Sequence, residues 1–173
     1  MKYTIGILAM LIALSICGVR CSKGITLKQN VTGYLKRAAD ASTIELANTE
    51  LSKAISYLEA NEMTSGNTSV LWERPKNDLD FWYRNLKASQ NELQQLKSNS
   101  ALEKTNVLIK LRETLLDTGE KSKVTVPDSL DVYPKHRFWA LMMFLAAILG
   151  VVGLGLFVDE LDKREKAKKA RKN

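Results

Sequence analysis

The sequence predicts an all-α membrane protein, in which a long, coiled-coil-like antiparallel helical hairpin lies between two apolar segments. Phe138–Val158 contains 21 consecutive residues without a charge, which is enough for a helix to cross a hydrocarbon core about 30 Å thick. A shorter apolar run, Ile5–Val19, lies near the N-terminus. Between the two runs, apolar residues recur every three or four positions over two long stretches, which is the period of an amphipathic helix.

Residues 1–21 are predicted to bring the chain to the membrane. The run Ile5–Val19 has the length of the apolar part of a secretory signal peptide. Ser15 and Cys17 stand where a signal peptidase requires small residues, so cleavage before Gly18 is one alternative. The other is an uncleaved signal anchor, which we favour because an even number of spans agrees with a cytoplasmic C-terminal tail. Both alternatives export residues 22–134.

The first helix of the hairpin is expected at about residues 26–62. Thr26 and Gln29 have the spacing of a capping box, which predicts its start. The apolar stripe shifts phase by one residue between Ala41 and Ile44, which are three residues apart where four is due. The stripe consists of Leu27, Val31, Tyr34, Ala38 and Ala41, followed by Ile44, Ala47, Leu51, Ala54 and Leu58.

The second helix is expected at about residues 79–117, with Asn77 or Asp78 as its N-cap. Its stripe also slips in phase, near Ser100. The two helices are similar in length, so an antiparallel pair would cover both stripes. Because two helices bury little apolar surface, we also expect a second copy to complete a four-helix bundle. The stripe contains Trp82, Leu86, Ser89, Leu93, Leu96 and Ser100, then Lys104, Leu108, Leu111 and Leu115.

The loop between the helices, residues 63–78, is expected at the remote tip of the hairpin. It is long for a connection between helices, and long loops rich in aromatic residues are often functional. One interpretation is that Trp72 folds back onto Trp82 and caps the hairpin. The other is that the tip contacts a partner or ligand. The candidate contact residues are Trp72, Arg74, Asp78, Phe81, Trp82 and Tyr83.

The rest of the chain is predicted to lead through the membrane. Lys121–Pro134 contains two prolines and indicates a semi-extended tether. Residues 135–158 form the expected transmembrane helix and residues 159–173 a basic cytoplasmic tail. Small residues share one face of that helix, which either pairs two copies closely or reflects the abundance of glycine in spans. These residues are Ala146, Gly150 and Gly153.

The net charge of +7 is explained by topology. Between Ser22 and Pro134 there are 15 basic and 15 acidic residues, so the excess lies beside the apolar segments. Seven basic residues follow Val158, and such an excess remains in the cytoplasm. The exported part has no basic groove with interleaved aromatic residues, which excludes a nucleic-acid partner.

Residues for catalysis are not evident in the sequence. The single histidine, His136, stands between two basic residues at the predicted bilayer edge, where an interfacial role is expected. Metal-ligand clusters and a glycine-rich phosphate loop are lacking from the sequence pattern. The sequence therefore predicts a protein that is not an enzyme and that carries no metal or cofactor.

Three segments carry a resemblance to other proteins. They read GYLKRAADASTIELA from Gly33, EMTSGNTSVLWERP from Glu62, and NDLDFWYRNLKAS from Asn77. Over roughly residues 30–96 the chain resembles a group of bacterial membrane-anchored proteins, cyanobacterial ones among them, which have no established activity. The resemblance implies a bacterial setting and draws attention to the loop.

These features predict a protein of the bacterial inner membrane that acts by contact. The leading hypothesis is a non-enzymatic interaction or sensor-like module whose central domain lies outside the cytoplasm. The alternative is an accessory or scaffolding subunit of a transporter, secretion or cell-envelope complex. Expected partners are the lipid bilayer, a second copy of the chain, and a membrane or periplasmic protein of unknown identity.

Overall fold

The computed structural model describes residues 2–96, 100–117 and 123–170. Within these ranges the protein is all-α, with two isolated β-bridges and no strand. The chain divides into two compact units, one made of residues 1–22 with 137–173 and the other of residues 23–136. The predicted fold class is thus confirmed at the level of helices and long apolar ends.

The first unit pairs the two apolar ends of the chain. It contains most of α1 (Lys2–Leu27) and of α6 (His136–Ala170). Both helices are long and apolar enough to cross a membrane, and only 11% of the most apolar window of each is buried within the protein. A core helix of a soluble protein would be mostly buried. The apolar faces of these helices are therefore left for another environment.

The first helix does not begin at Thr26, so that expectation is wrong. The chain is helical without interruption from Tyr3 to Ala39. A π-helical turn, Lys28–Thr32, joins α1 to α2 (Gly33–Ala39). Because the preceding turns already accept hydrogen bonds from the N–H groups near Thr26, no capping box is required there.

Each of the two long helices expected in the hairpin is broken in the structure. The first ends at Ala39, and α3 (Ile44–Ala60) starts anew after Thr43, whose backbone is extended at φ −131° and ψ 152°. Thr43 Oγ1 accepts a hydrogen bond from Leu46 N at 3.2 Å and caps α3. The second divides into α4 (Leu79–Gln95) and α5 (Ala101–Leu115). Both breaks fall at the phase slips of the apolar stripe.

These four shorter helices pack around one core. α3 contacts α2, α4 and α5, and α5 also contacts α2 and α4. The stripe predicted on α3, from Ile44 to Leu58, is buried at every position. A single chain therefore supplies the four helices for which a second copy was expected, and self-association stays a prediction without that support. The largest fully buried apolar side chains are Val31, Leu35, Leu51, Ile55, Leu58, Leu79, Leu86, Leu115 and Leu130.

The antiparallel hairpin survives in shortened form as α3 and α4. Gln90 Nε2 donates to Ser52 Oγ at 2.9 Å, and Gln94 Nε2 donates to Asn48 Oδ1 at 3.5 Å. In these two pairs, the residue number is higher in α4 where it is lower in α3. The hairpin is therefore antiparallel, as predicted, over about half the predicted length.

The expected tether is instead packed on the domain, apart from residues 121 and 122, which lie outside the described ranges. Val124, Pro127 and Leu130 are buried. Thr125 N donates to Leu115 O at 2.9 Å, and Thr125 O accepts from Trp82 Nε1 at 2.9 Å. These partners satisfy a backbone that would otherwise need water, which is why an irregular segment is tolerated against the core.

Replacement of Thr43 by Ala tests the break before α3. The T43A variant loses the cap on the Leu46 N–H, so unfolding of the full chain in detergent should require about 1 kcal/mol less free energy. T49A is the matched control, because Thr49 is exposed inside α3 and its hydroxyl donates to Glu45 O of the same helix at 2.8 Å. We expect no loss there, and equal stability of both variants would contradict the cap.

Candidate functional site

The loop 63–78 starts beside the last turn of α1 and the residues that precede α6. Met63, three residues after α3 ends, lines a cavity of about 240 Å³ together with Lys23 and Leu27 of α1 and with Tyr133. Tyr133 lies three residues before α6 begins. The expectation that this loop forms a remote tip is therefore wrong, because breaks in both helices turn the chain back within one helix length.

Two side chains that precede or begin α6 hold the loop. Tyr133 Oη donates to Ser65 O at 2.7 Å, and His136 Nε2 lies 3.1 Å from Ser69 O. A carbonyl oxygen only accepts, so Nε2 is the donor in this contact. The ring of His136 is stacked on that of Tyr133, with centroids 5.8 Å apart and planes 6° apart. His136 is thus a buried structural contact of the loop.

A buried polar network closes the base of the loop around Asn77, which is 2% exposed. Asn77 Nδ2 donates to Ser69 Oγ at 3.1 Å, and Asn77 Oδ1 accepts from Asp128 N at 3.3 Å. Its backbone N–H donates to Arg74 O at 2.9 Å, while its carbonyl accepts from Thr68 N at 3.0 Å. Asn77 therefore ties the loop to itself and to the connector before α6.

The apex of the loop projects into solvent. All six residues from Leu71 to Lys76 are exposed, with Leu71 at 71% and Trp72 at 74%. The interpretation that Trp72 folds back and caps the hairpin is wrong, because so exposed a side chain covers no core. Trp82, its expected partner, instead packs against the core and bonds the Thr125 carbonyl.

The six candidate contact residues do not converge on one site. Asp78 caps α4 by accepting from Phe81 N at 2.9 Å, as predicted for Asn77 or Asp78. Trp82 and Tyr83 are half-buried and make structural bonds. Phe81, at 59% exposed, joins Trp72 and Arg74 as residues that are open to a partner.

Tyr83 and Glu59 form the main polar contact between α3 and α4. Tyr83 Oη donates to Glu59 Oε1 at 2.5 Å, and Lys87 Nζ lies 3.3 Å from the same oxygen. Burial of the phenol, with the Glu59 charge beside it, raises the pKa of Tyr83 to about 12. The hydrogen bond from Tyr83, supported by Lys87, lowers the pKa of Glu59. Both groups therefore hold one protonation state across the neutral range.

An ion pair also links the loop to the connector, the segment of residues 123–134 that precedes α6. Lys76 Nζ lies 2.7 Å from Asp128 Oδ2. That hydrogen bond is the main reason that the pKa of Asp128 is lowered. The pair links the end of the exposed apex to the segment that Asn77 holds, and it keeps a negative charge on Asp128.

The small residues predicted as a packing face of α6 divide into two groups. Gly153 lies against α1, and a Cβ placed there would come within 2.9 Å of both Gly6 O and Met10 Cγ. Ala146 is buried, whereas Gly150 has open space around its Cα. The close approach is therefore between two helices of one chain, and pairing of two copies through this face stays a prediction.

Several polar residues of the site were missed by sequence reasoning. Thr68, Ser69 and His136 are buried, yet His136 and Ser69 are 67 residues apart, and no local pattern relates them. Glu50 is also buried, with Lys53 Nζ 2.8 Å from Oε1 and Arg37 Nε 3.0 Å from Oε2. Arg37 contributes charge at that oxygen and no well-directed hydrogen bond.

Among the described residues, no group of three His, Cys, Asp or Glu could hold a metal ion.

Replacement of Asn77 by Ala tests the network. N77A removes the hydrogen bonds to the buried Ser69 Oγ and to the Asp128 N–H, so we expect the free energy of unfolding to fall by about 2 to 3 kcal/mol. N85A is a matched control, since Asn85 is half-buried in α4 and its side chain makes no hydrogen bond within the described residues. A loss for N77A no larger than that for N85A would show that the network contributes little.

The Tyr83–Glu59 contact predicts a defined pH dependence. Because the pKa of Tyr83 rises from 10.0 to about 12 on folding, its stabilisation is complete below pH 10 and is lost as the pH rises through 12. The lowered pKa of Glu59 gives a stabilisation that is present above pH 4.5 and lost in acid. Between these limits, the free energy of unfolding of the wild type should exceed that of Y83F by about 1 kcal/mol. The difference should shrink at both ends.

Chemical unfolding of both proteins in detergent over a pH series measures this difference. Y57F is the control, because the Tyr57 hydroxyl makes no hydrogen bond within the described residues. A difference between wild type and Y83F that stays constant from acid to strong alkali would refute the contact.

Comparison of the chain with protein-family models, with curated proteins and with solved structures finds no match. The functional argument therefore rests on the residues and contacts described above.

Proposed function

We propose that the protein is a membrane-anchored, non-enzymatic interaction module with a sensor-like construction. In this proposal α1 and α6 both cross the bacterial inner membrane. The domain of residues 23–136 lies on the extracytoplasmic side, and the basic end of α6 lies in the cytoplasm. The observation that carries the proposal is the pairing of two exposed apolar helices through Gly6 and Gly153.

That pairing favours an uncleaved anchor. Removal of a signal peptide would strip Gly6 and Met10 from the face of Gly153 and expose the small-residue surface of α6. The stacking of Tyr3 on Phe157, with ring centroids 5.4 Å apart, and the position of Arg164 4.7 Å from the Tyr3 ring extend the same contact. Small residues that allow close backbone approach are the usual means by which helices associate in lipid.

The polar groups of the domain favour contact over catalysis. A general acid or base works best with a pKa near the operating pH. The shifts at Glu59, Asp128 and Tyr83 move the pKa of each group away from neutrality, and each shift has a structural partner as a cause. These groups are therefore suited to hold the fold together, and the exposed Phe81 and Trp72 are left for partners.

The sensor-like construction is favoured by the continuous helix from Tyr3 to Ala39. A continuous helix that belongs to both a span and a domain core can transmit a displacement of the domain to the membrane. An accessory subunit of an envelope complex is the second candidate, favoured by the exposed aromatic side chain of Phe81 on α4.

Cysteine accessibility tests the topology. In a C17S/C21S background, a single cysteine from E103C in α5 should react with an impermeant maleimide in intact spheroplasts. K166C, in the basic end of α6, should react only after lysis. The mass of the purified protein should include residues 1–21. Labelling of K166C in intact spheroplasts, or loss of that mass, would overturn the corresponding part of the proposal.

Photo-cross-linking in the native membrane tests the interaction. A photoreactive residue at Phe81 should give a product of one discrete mass, whereas the same residue at Glu113, exposed on α5, should not. A fixed partner of different mass supports the accessory subunit. Products that contain only this chain argue against it, and no product from Phe81 would contradict an interaction role for that surface.

A further inference from the structure

The apex of the loop presents an apolar pair that the core does not use. Leu71 and Trp72 are adjacent, and each is more than two-thirds exposed. Exposed side chains of this size carry a hydrophobic cost in water. Hydrogen bonds at the base of the loop hold the segments on both sides of this pair.

The base of the loop is fixed on both sides of the apex. Ser69 Oγ accepts from Arg74 N at 3.2 Å and from Asn77 Nδ2 at 3.1 Å. Leu79 N donates to Gly66 O at 2.9 Å, which closes the loop behind the apex. A preformed apolar projection loses little conformational freedom when it enters another phase.

A hydrogen bond also ties the loop to His136, two residues before the C-terminal apolar run in the sequence. His136 Nε2 lies 3.1 Å from Ser69 O. The uncharged run begins at Phe138, two residues later, and two residues span at most about 7 Å. Trp72 is three residues from Ser69, which adds at most about 10 Å. The path from Trp72 to Phe138 through this hydrogen bond is therefore about 20 Å at most.

The residue types at the apex are those found at the interface between lipid headgroups and acyl chains. Indole has an apolar body and an N–H donor, and it is enriched at the boundary between headgroups and acyl chains. Arg74 lies in the apex, two residues after Trp72, Lys135 precedes α6, and both are exposed. Their charges complement anionic headgroups.

We propose that the Leu71–Trp72 apex inserts into the headgroup region of the extracytoplasmic leaflet and so attaches the domain to the bilayer at a third point. The partner is the lipid surface itself, and the inference rests on the topology proposed above. A protein partner at the apex is the competing outcome, and pure lipid vesicles distinguish the two.

Three single-tryptophan proteins test the insertion, each as the full chain reconstituted in vesicles of phosphatidylcholine and phosphatidylglycerol. Trp72 remains in W82F/W139F, and Trp139 remains in W72F/W82F. The third protein carries L102W in W72F/W82F/W139F. All three share W82F, so any effect of losing the Trp82 bond is common to them. Circular dichroism verifies that each is folded.

Leu102 is a matched control because it is 72% exposed, like Trp72, but lies at the other end of the domain. Ala101, beside it, shares a cavity with Ile44 at the start of α3. The 17 residues of α3 separate that cavity from Met63 by about 25 Å.

Emission is measured with lipids brominated near the headgroup. We expect Trp72 and Trp139 to be quenched, with Trp72 shifted to the blue, while the L102W indole emits as in water. Quenching of Trp139 without quenching of Trp72 overturns the insertion, leaves the topology intact and points to a protein partner. Equal quenching of L102W and Trp72 also overturns a specific apex contact. An unquenched Trp139 overturns the topology and the insertion together.

Discussion

The buried amide of Asn77 determines how the irregular parts of this domain are arranged. Backbone groups that leave water must find partners, and outside a helix or sheet those partners come from turns, side chains or water. Asn77 engages both polar atoms of its side chain and both of its backbone, and one of these bonds reaches Asp128, 51 residues away. The loop and the connector before α6 therefore form one hydrogen-bonded layer. That layer gives the loop a rigid base and lets it carry an exposed apolar apex.

The sequence predicted the features that depend on local periodicity. The stripe of α3, the Asp78 cap and the two apolar ends all follow from residues within a few turns of one another. A phase shift in the stripe is compatible with one continuous helix and also with a reversal of the chain between two helices. The sequence alone therefore did not distinguish the two. The structure shows a reversal, in which Thr43 caps α3 and α5 packs on α2. The packing of α5 on α2 depends on residues far apart in the chain. The contact of His136 with Ser69 was likewise beyond any local pattern.

The glycines of the apolar helices have a role that the sequence left open. Gly153 was considered as part of a face for a second copy, yet it lies against Gly6 of the same chain. Helices in lipid gain no hydrophobic free energy by associating, so contact depends on how closely the backbones approach. Once Gly153 is covered in this way, Gly150 is the member of that face that is left open. Self-association through α6 would have to use a surface centred there.

The apex is small, yet its attachment to the bilayer would be strong. Insertion of Leu71 and Trp72 recovers about 1.5 to 3 kcal/mol for each side chain at most, which is too little to hold a free protein on a membrane. The loop, however, is joined to α6 through the hydrogen bond between Ser69 and His136. Its local concentration at the interface is therefore set by a short connection, so a weak contact becomes an effectively intramolecular one. A domain held by α1, α6 and this apex would lose its freedom to tilt, and a displacement that withdraws Trp72 would have a defined energetic cost. That cost is what a sensor-like module requires in order to have two distinct states.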